Sequence, residues 1–520
     1  MRPSCEPRAL LALLALLLPA WPAAAQTPGA PPVDAAAVDR LVDETLSRWQ
    51  LPGLAIAIVD HDRVVYLRGV GVKSEGGRDP VGPDTRFQIG STTKAFTTTL
   101  MALLVDERRL GWDDPVRKHL DYFRLSDACA DSLVTLRDLV SHRTGMGEHD
   151  ELWDDSPWSR EEVIRRAGTL PLARPFRSRY GYNNIMLMAA GEAAASAAKT
   201  PWETLVRTRL FAPLGMTSTG VTVAEWLAAP DRASGHKRTE DGRIVPQILV
   251  GNEPLGPAGT IQSTARDLSR WLRFQLAGGV YDGRRLVSTE ALEETKTPQT
   301  VIRLEGSTRA GNPESNLMAY AMAWVVQDYR GELLVSHTGS LNGFRARVDL
   351  LPKRSAGFVL LTNVGRAQAL LALRNGLVDL MAGGPSRDWN AYYLDLEARA
   401  RARSEERKRE AEARRPLGTR PSHDLAAYAG TYGGPAHGAM TVTLEEGSLV
   451  LVWNRMRAPL LHRQYETFSW NVGEPDNLEE TVQFTLDAGG RVDAMRIFET
   501  SLARTTPQPA AATAAAAAAD

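Results

Sequence analysis

Ser91 and Lys94 stand three positions apart at the start of an apolar stretch, and their side chains could form a nucleophile and its base. The apolar residues of 95–105 predict a buried helix that begins at or beside Ser91. Because positions i and i+3 share a helix face, the hydroxyl and the amine would point the same way. An amine kept from water loses its proton more readily, and a helix N-terminus favours a developing oxyanion. The spacing therefore predicts a lysine-activated serine nucleophile.

A second polar motif, Tyr182-Asn183-Asn184, precedes an apolar helix predicted over 185–190. In an extended loop Tyr182 and Asn184 would point into one cleft, where a phenol relays a proton and an amide orients a neighbour. Taken alone, the motif is more typical of a turn with an asparagine at a helix cap. Its presence together with the Ser91 motif favours the functional interpretation.

The third motif, His337-Thr338-Gly339-Ser340, ends a β-rich run that begins at Leu333. Gly339 has no side chain, so the strand edge could approach a substrate backbone closely. His337 is interpreted either as a histidine that merely ends a strand or as a donor and acceptor in the cleft. The presence of the other two motifs favours the interpretation that His337 lies in the cleft.

The elements that must position these motifs are β-rich at the two ends of the first 384 residues and helical between them. Helical spacing runs over 38–49 and 367–382. The predicted β-runs are 54–59, 64–67, 333–336, 344–350 and 358–362. Strands from both ends around a helical insert predict an α+β fold with an antiparallel sheet of about five strands.

The rest of the chain divides by composition. Residues 1–25 have a charged start, an apolar core and a small-residue cleavage site, which predicts a secretory signal peptide and a periplasmic or secreted protein. Residues 396–415 are crowded with Arg, Glu and Ala, and the β-runs after them predict a small all-β barrel. The predicted boundaries are signal peptide 1–25, linker 26–37, first domain 38–384, charged helical linker 385–421, β-barrel 422–504 and disordered Ala/Pro-rich tail 505–520.

Composition excludes several classes of partner. The 61 Lys and Arg residues nearly balance the 62 Asp and Glu residues, so no overall field favours nucleic acid or an anionic membrane. After the signal peptide we expect neither a membrane-spanning segment nor a disulfide, because Cys129 is then the only cysteine. His142 and His149, near Glu148, lack the spacing of zinc motifs, so we predict neither a metal nor a cofactor. Oligomerisation through the C-terminal domain stays open.

The three motifs in this order resemble the class C branch of the serine β-lactamases, which includes D-alanyl-D-alanine carboxypeptidases, D-aminopeptidases and esterases. The resemblance covers roughly residues 33–384, and the stretches 134–145, 211–216 and 257–268 also look like that family. It implies a β-lactamase/transpeptidase-like fold over 38–384. The C-terminal barrel is similar to the lipocalin-like domain that some of these hydrolases carry.

The resemblance also implies roles for individual residues. Ser91 would form the acyl-enzyme and Lys94 would take its proton. Tyr182 would share the proton relay, and Asn184 would position the substrate or Lys94. The backbone N–H groups of Ser91 and Ser340 would form the oxyanion hole.

The sequence departs from the β-lactamase pattern at His337, where a lysine is usual. A lysine would place a permanent positive charge before a substrate carboxylate, whereas a histidine is largely neutral near pH 7. We therefore expect ester, amide or peptide substrates rather than carboxylate or β-lactam ones. His337 would assist the relay of Tyr182, and Thr338 and Gly339 would contact the substrate.

The predicted function is that of a secreted serine hydrolase that acts on a small-molecule or peptide substrate through a Ser91 acyl-enzyme. Two alternatives remain. The chain could bind penicillins or cell-wall fragments with little turnover, as a sensor does, or it could be a true β-lactamase.

Overall fold

The computed structural model describes residues 33–239, 241–247, 251–383, 387–473 and 479–505. The predicted signal peptide, 1–25, lies outside the described residues, as does all of the predicted tail except Thr505. In the part of the chain that is described, no helix is long and apolar enough to cross a membrane.

An antiparallel sheet of eight strands lies at the centre of the first domain, in the order β2-β1-β8-β7-β6-β5-β4-β3. Its strands are β1 Gly53–Asp60, β2 Arg63–Gly71, β3 Thr300–Val301, β4 Met318–Tyr320, β5 Val325–Tyr329, β6 Glu332–Leu341, β7 Phe344–Leu351 and β8 Ala356–Thr362. The sequence predicted about five strands and missed β3, β4 and β5. These strands are only two to five residues long, too short to display a clear alternation.

Helices cover both faces of the sheet. They are α1 Ala35–Trp49, α2 Thr93–Asp106, α3 Ala128–Leu133, α4 Leu136–Val140, α5 Arg160–Ala167, α6 Asn184–Ala198, α7 Trp202–Val206, α8 Ala212–Leu214, α9 Val223–Ala228, α10 Gly256–Gly259, α11 Ala265–Leu276, α12 Thr289–Glu294, α13 Gly306–Gly311, α14 Ala367–Ala382 and α15 Trp389–Arg414. Side chains alternate along β1, so Ala57 joins the core shared with α2, α6 and α11, whereas Ile58 joins the core shared with α1 and α14.

Helix α2 is the central helix of the domain. It is buried from Thr93 to Leu104, as its lack of a polar face predicts. A 3₁₀ turn, Gly90–Thr92, leads into it and carries Ser91, in agreement with the predicted helix start. Further 3₁₀ turns are Val116–Lys118, Asp150–Leu152, Glu253–Leu255, Pro352–Arg354 and Leu425–Tyr428, and Arg207–Phe211 is π-helical.

Helix α6 begins earlier than the sequence predicted. The side chain of Asn183 accepts a hydrogen bond from the N–H of Met186 at 2.8 Å and caps the helix. Asn184 is therefore the first residue of the helix, and the expectation that it lies in an extended loop is wrong.

Helix α15 connects the first domain to the barrel. Its first turn is anchored, because Trp389, Asn390 and Tyr393 are buried, whereas most of its Arg- and Glu-rich remainder is exposed. The barrel is closed and antiparallel. Its strands are β9 Gly430–Gly434, β10 Gly438–Glu445, β11 Ser448–Trp453, β12 Met456–Gln464, β13 Thr467–Asn471, β14 Glu479–Leu486, β15 Val492–Ile497 and β16 Thr500–Arg504. The sequence missed β12, which contains Pro459, and β16, which follows a tight turn.

Candidate active site

The amine of Lys94 lies at the centre of the site and is fully buried on α2. Its Nζ is 3.0 Å from Ser91 Oγ, 2.7 Å from Asn184 Oδ1 and 2.7 Å from the carbonyl oxygen of Ala258. The structure thus brings together the three predicted residues Ser91, Lys94 and Asn184, which come from a 3₁₀ turn and two different helices.

The surroundings of Lys94 favour an uncharged amine. Burial lowers the pKa of Lys94 from 10.5 to about 7, and the charge of Asp150 opposes this shift only in part. A neutral amine has two N–H donors and one lone pair. Asn184 Oδ1 and the Ala258 carbonyl can only accept, so both N–H groups go to them and the lone pair faces the hydroxyl of Ser91. This arrangement is that of a general base beside its nucleophile.

Asp150 fixes this arrangement, and the sequence interpretation missed it. Its carboxylate oxygens lie 3.1 and 3.2 Å from Asn184 Nδ2, so the amide must turn its oxygen toward Lys94. Trp153 Nε1 donates to the same carboxylate at 2.8 Å. Burial raises the pKa of Asp150, while the hydrogen bonds from Asn184 and Trp153 oppose that rise. Asp150 begins the three-residue 3₁₀ turn Asp150–Leu152, which is too short to have a periodicity, so no sequence signal pointed to it.

Tyr182 also lies beside Ser91. Burial raises the pKa of Tyr182 well above its ordinary value of 10, and a hydrogen bond with Ser91 opposes the rise. The phenol is therefore protonated at neutral pH and can donate to an atom bound at Ser91. Lys94 Nζ lies 4.8 Å from the centre of the Tyr182 ring.

Two glycines let strand β6 approach the turn that carries Ser91. Gly90 has a φ of 50°, and a Cβ there would lie 2.5 Å from the backbone nitrogen of Ser340. A Cβ on Gly339 would collide with the carbonyl oxygen of Ile89. Strand β6 can thus pack against the turn only with a glycine at position 339. The sequence analysis had instead explained Gly339 by the close approach of a substrate backbone. The contact places the backbone of Ser340 beside Gly90, next to the nucleophile.

His337 is buried on strand β6. Its hydrogen-bond partners are Thr338 and Tyr320, whereas the predicted partner was Tyr182. Its Nδ1 lies 2.7 Å from the carbonyl oxygen of Thr338, which can only accept, so Nδ1 carries the proton. Its Nε2 therefore accepts from the hydroxyl of Tyr320 at 2.9 Å. Burial, with a smaller effect of the Lys94 charge, lowers the pKa of His337 to about 3. The rings of His337 and Tyr182 are 6.5 Å apart, and the hydrogen bond of His337 goes to Tyr320 instead.

His142 has a structural position beside the site. Its Nδ1 accepts from the backbone N–H of Asn183 at 3.2 Å, and its ring packs against Tyr182 and Tyr320 at 4.4 and 4.6 Å. His149 instead contacts Glu151 at 3.3 Å. Among the residues that the structure describes, no group of histidine, cysteine and acidic side chains is suited to hold a metal ion.

A cleft of about 530 Å³ opens from Ser91 and is lined by Tyr182, His337 and Gly339. Strand β5 pairs with β6 only over Glu332–Ser336. It therefore does not cover the edge of residues 337–341, which borders the cleft. The side chains of Thr338 and Ser340 are exposed there. An extended substrate could bind along such an edge through backbone hydrogen bonds.

The barrel contacts the loop that carries Asp150. His437 Nε2 lies 3.1 Å from Glu151 Oε1, Arg455 lies 3.2 Å from Asp155, and Trp158 packs against Trp453. A second cavity of about 280 Å³ lies between them. Its walls are Glu148, His149, Asp150, Glu151 and Asp154 from the loop and Met456, Glu480 and Phe498 from the barrel.

Comparisons with known proteins agree with this geometry. Residues 38–381 match the model of the beta-lactamase family, and residues 414–511 match a domain of unknown function, DUF3471. The chain is 29% identical to the unguisins hydrolase ungD' of Aspergillus campestris, over 80% of this chain and 79% of that protein.

Two solved structures show the same fold. The octameric penicillin-binding protein homologue from Pyrococcus abyssi is 20% identical, with a TM-score of 0.59 over 90% of this chain and 99% of its own. The D-alanine carboxypeptidase AmpC from Burkholderia cenocepacia is 25% identical, with a TM-score of 0.52 over 67% of this chain and 98% of its own. Because the family model matches most of the sequence, the chain belongs to the beta-lactamase family, and it is a serine hydrolase of that family.

Proposed function

We propose that the chain cleaves ester or amide bonds through an acyl-enzyme on Ser91, with peptides and compounds that contain D-amino acids as the first substrates to test. The observation that carries the proposal is the Lys94 amine, whose N–H groups are committed to Asn184 and Ala258 while its remaining position faces Ser91. One relative is named as an unguisins hydrolase and one structural neighbour as a D-alanine carboxypeptidase, and the second name supports an amide substrate. Export from the cell, expected from residues 1–25, is part of the proposal.

In the acylation step, Lys94 Nζ takes the hydroxyl proton while Ser91 Oγ bonds to the substrate carbonyl carbon. The negative charge that develops on the carbonyl oxygen is held by the backbone N–H groups of Ser91 and Ser340. When the intermediate collapses, the bond to the leaving group breaks and Tyr182 donates its hydroxyl proton to that group. The proton on Lys94 then restores the phenol of Tyr182.

Deacylation follows the same path with water. Lys94 takes a proton from the water molecule as its oxygen attacks the ester carbon. The ester bond breaks, Lys94 passes that proton to Ser91 Oγ, and the carboxylic acid leaves with the Lys94 amine neutral again. Asp150 and Asn184 hold Lys94 in place during both halves of the cycle.

The proposal is tested by intact mass and by turnover. Wild-type protein should gain one fluorophosphonate or boronate adduct on Ser91 and should hydrolyse at least one member of a panel of p-nitrophenyl esters, D-amino-acid amides, D-Ala-D-Ala peptides and a chromogenic cephalosporin. Ser91→Ala should lose both properties and remain folded, whereas Ser132→Ala, at an exposed position, should keep them. Turnover that persists in Ser91→Ala would refute the mechanism, and a protein that stays acylated would be a sensor.

A further inference from the structure

A further cleft, of about 590 Å³, lies beside the catalytic one. Its walls include residues 177–180, the loop that runs into the Tyr182 motif, and residues 299–303, which contain strand β3 at the edge of the sheet. Tyr180 lines both clefts. The two clefts are therefore neighbours that share one side chain, and an extended ligand could occupy both.

Four arginines line this further cleft, which we call the arginine groove: Arg143, Arg177, Arg179 and Arg303. Its described lining contains no aspartate or glutamate. The chain as a whole is nearly neutral, with 61 Lys and Arg against 62 Asp and Glu, so the groove is a local concentration of positive charge. A concave surface lined by one sign of charge attracts ligands of the opposite sign.

Two of these arginines share a single carboxylate. Arg143 Nε lies 2.5 Å from Oδ1 of the buried Asp138, and Arg177 Nη2 lies 2.7 Å from its Oδ2. The pKa of Arg177 is raised first by its hydrogen bonds to Asp138 and, to a smaller extent, by the charge of Asp113. Asp113 is itself bound by Arg137, at 2.8 and 3.0 Å. Because one carboxylate cannot neutralise two guanidinium groups, Arg143, Arg177 and Asp138 together keep a positive charge.

The other two arginines are exposed and are not neutralised by the protein. Arg179 has no hydrogen-bond or ion-pair partner among the described residues. Arg303 approaches Glu305 at 3.9 Å, but the two side chains are 78% and 74% exposed, so this pair contributes little. Both guanidinium groups are therefore available to a ligand. Each can bind a carboxylate or a phosphate through two parallel hydrogen bonds.

The shape of the arginine groove suits an extended ligand rather than a single ion. Its volume is in the range of small-molecule sites. In the part of the chain that is described, strand β3 pairs only with β4 and leaves its other edge open. Val301 on this strand is 72% exposed, and Arg303 follows two residues later. An open strand edge can accept an extended chain, whose charged groups would then meet the arginines.

We propose that the arginine groove binds an oxyanion, a carboxylate or a phosphate, on a part of the substrate distant from the bond that Ser91 attacks. This inference rests on the proposed acyl transfer at Ser91. Strand β3 lies three strands from β6 in the sheet, so the groove serves a remote part of an extended substrate. The expectation drawn from His337 is unchanged, because it concerns the group beside the scissile bond. The arginines supply binding alone, so they should act on KM rather than on kcat.

The test uses the full-length protein and two double variants. Arg179→Gln/Arg303→Gln removes the two exposed charges of the groove, neither of which holds another element in place, so the protein should stay folded. Arg284→Gln/Arg420→Gln, at two exposed positions elsewhere, is the matched control for the loss of two positive charges. Isothermal titration calorimetry with tripolyphosphate and with triglutamate measures binding without any turnover.

We expect wild type and the control to bind at least one probe, and Arg179→Gln/Arg303→Gln to bind it about tenfold more weakly, the range of one charge-assisted hydrogen bond. Tighter binding of tripolyphosphate would assign the groove to phosphates, and tighter binding of triglutamate to carboxylates. Either affinity should fall at high ionic strength. No binding of either probe by wild type, or equal affinities in the two double variants, would overturn the proposal.

Turnover then links the groove to Ser91. Peptide esters are compared that differ only in a phosphoserine, glutamate or glutamine placed about three residues from the ester bond, on the acyl side in one set and on the leaving-group side in the other. An extended residue spans about 3.3 Å, so this spacing reaches a neighbouring cleft. In wild type an anionic member of at least one set should have a KM about tenfold below that of the glutamine member, with a similar kcat.

This difference in KM should disappear in Arg179→Gln/Arg303→Gln and persist in Arg284→Gln/Arg420→Gln. Binding of the probes without any preference among the esters would contradict the assignment of the anion to the substrate. If no ester is hydrolysed, the proposed function at Ser91 fails by itself, while the calorimetry still decides whether the arginine groove binds an oxyanion.

Discussion

The carboxylate of Asp150 lies 3.1 and 3.2 Å from the amide nitrogen of Asn184 and thereby decides which end of that amide faces Lys94. A reversed amide would present N–H groups to an amine that needs an acceptor there. The hydrogen bonds of Asp150 come from Asn184 and Trp153, so it acts through Asn184 as a positioning residue.

We expect Asp150→Ala to lower kcat/KM by about 10- to 100-fold, the cost of a misplaced catalytic group. The rising limb of its pH profile should also move to lower pH, because the charge of Asp150 raises the pKa of Lys94. Asp121→Ala, at an exposed position, is the control and should change neither quantity. An unchanged rate and profile in Asp150→Ala would remove Asp150 from the mechanism.

The pH dependence of the wild-type reaction should report Lys94. Because Lys94 must be neutral to accept a proton and its pKa is lowered to about 7, kcat/KM should rise with pH through about 7 and then level off. His337, with a pKa lowered to about 3, is uncharged throughout this range. The rising limb should therefore keep its midpoint in His337→Gln, and its disappearance there would assign the limb to the histidine.

Removal of the Tyr182 hydroxyl should slow acylation. We expect Tyr182→Phe to lower kcat by about 10²-fold or more, the usual contribution of a general acid or base. The ring is kept, so the melting temperature should change little. Tyr122→Phe removes a buried hydroxyl without a hydrogen-bond partner among the described residues, and serves as the matched control. Equal rates for the two variants would exclude the relay.

Gly339 should tolerate no side chain. In Gly339→Ala the new methyl group collides with the backbone of Ile89, so the strand must move away from the turn that carries Ser91. We expect a loss of about 1–3 kcal/mol in the free energy of unfolding, with a large loss of kcat/KM. Gly311→Ala, where a Cβ meets no atom within 4 Å, should show neither effect. Normal activity in Gly339→Ala would contradict the packing described.

The contact between Glu151 and His437 should stabilise the protein in a pH-dependent way. Burial alone would raise the pKa of Glu151, but hydrogen bonds from His149 and His437 outweigh it and lower the pKa from 4.5 to about 2. A lowered carboxyl pKa contributes stability above pH 4.5 that is lost as the pH falls toward 2.

Glu151→Gln should therefore lower the melting temperature at pH 7 by several degrees, and the difference from wild type should shrink in acid. Glu161→Gln breaks only an exposed pair with Arg165 and should have little effect. Thermal unfolding between pH 3 and 7 measures both variants. If the difference in melting temperature between wild type and Glu151→Gln grew in acid, the ionised carboxylate of Glu151 would not be the stabilising form.

The sequence predicted that Ser91, Lys94 and Tyr182 lie together, but it did not predict the residues around them. These three residues were selected because acyl transfer requires a nucleophile, a base and a proton donor. The order and spacing of their motifs in the sequence indicated that they belong to one site. Asp150 and Tyr320 were missed because they lie in a three-residue 3₁₀ turn and in a three-residue strand, which are too short to have a periodicity.

The open edge of residues 337–341 on β6 was equally beyond the sequence. It depends on β5 ending its pairing at Ser336, which is a property of the assembled sheet. The kinship of the barrel with lipocalin-like domains stays a prediction, although a closed barrel of eight strands was found where a small barrel was expected.

Gly339 and Ala367 line the same cleft but differ in the side chains that they can accept. A Cβ at 339 would collide with the carbonyl oxygen of Ile89, whereas Ala367 is exposed at the first position of α14. Over evolutionary time, substitutions at 367 can reshape the wall of the cleft, while position 339 is closed to change. Selectivity in this cleft can thus diverge between descendants that share one unaltered acylation geometry.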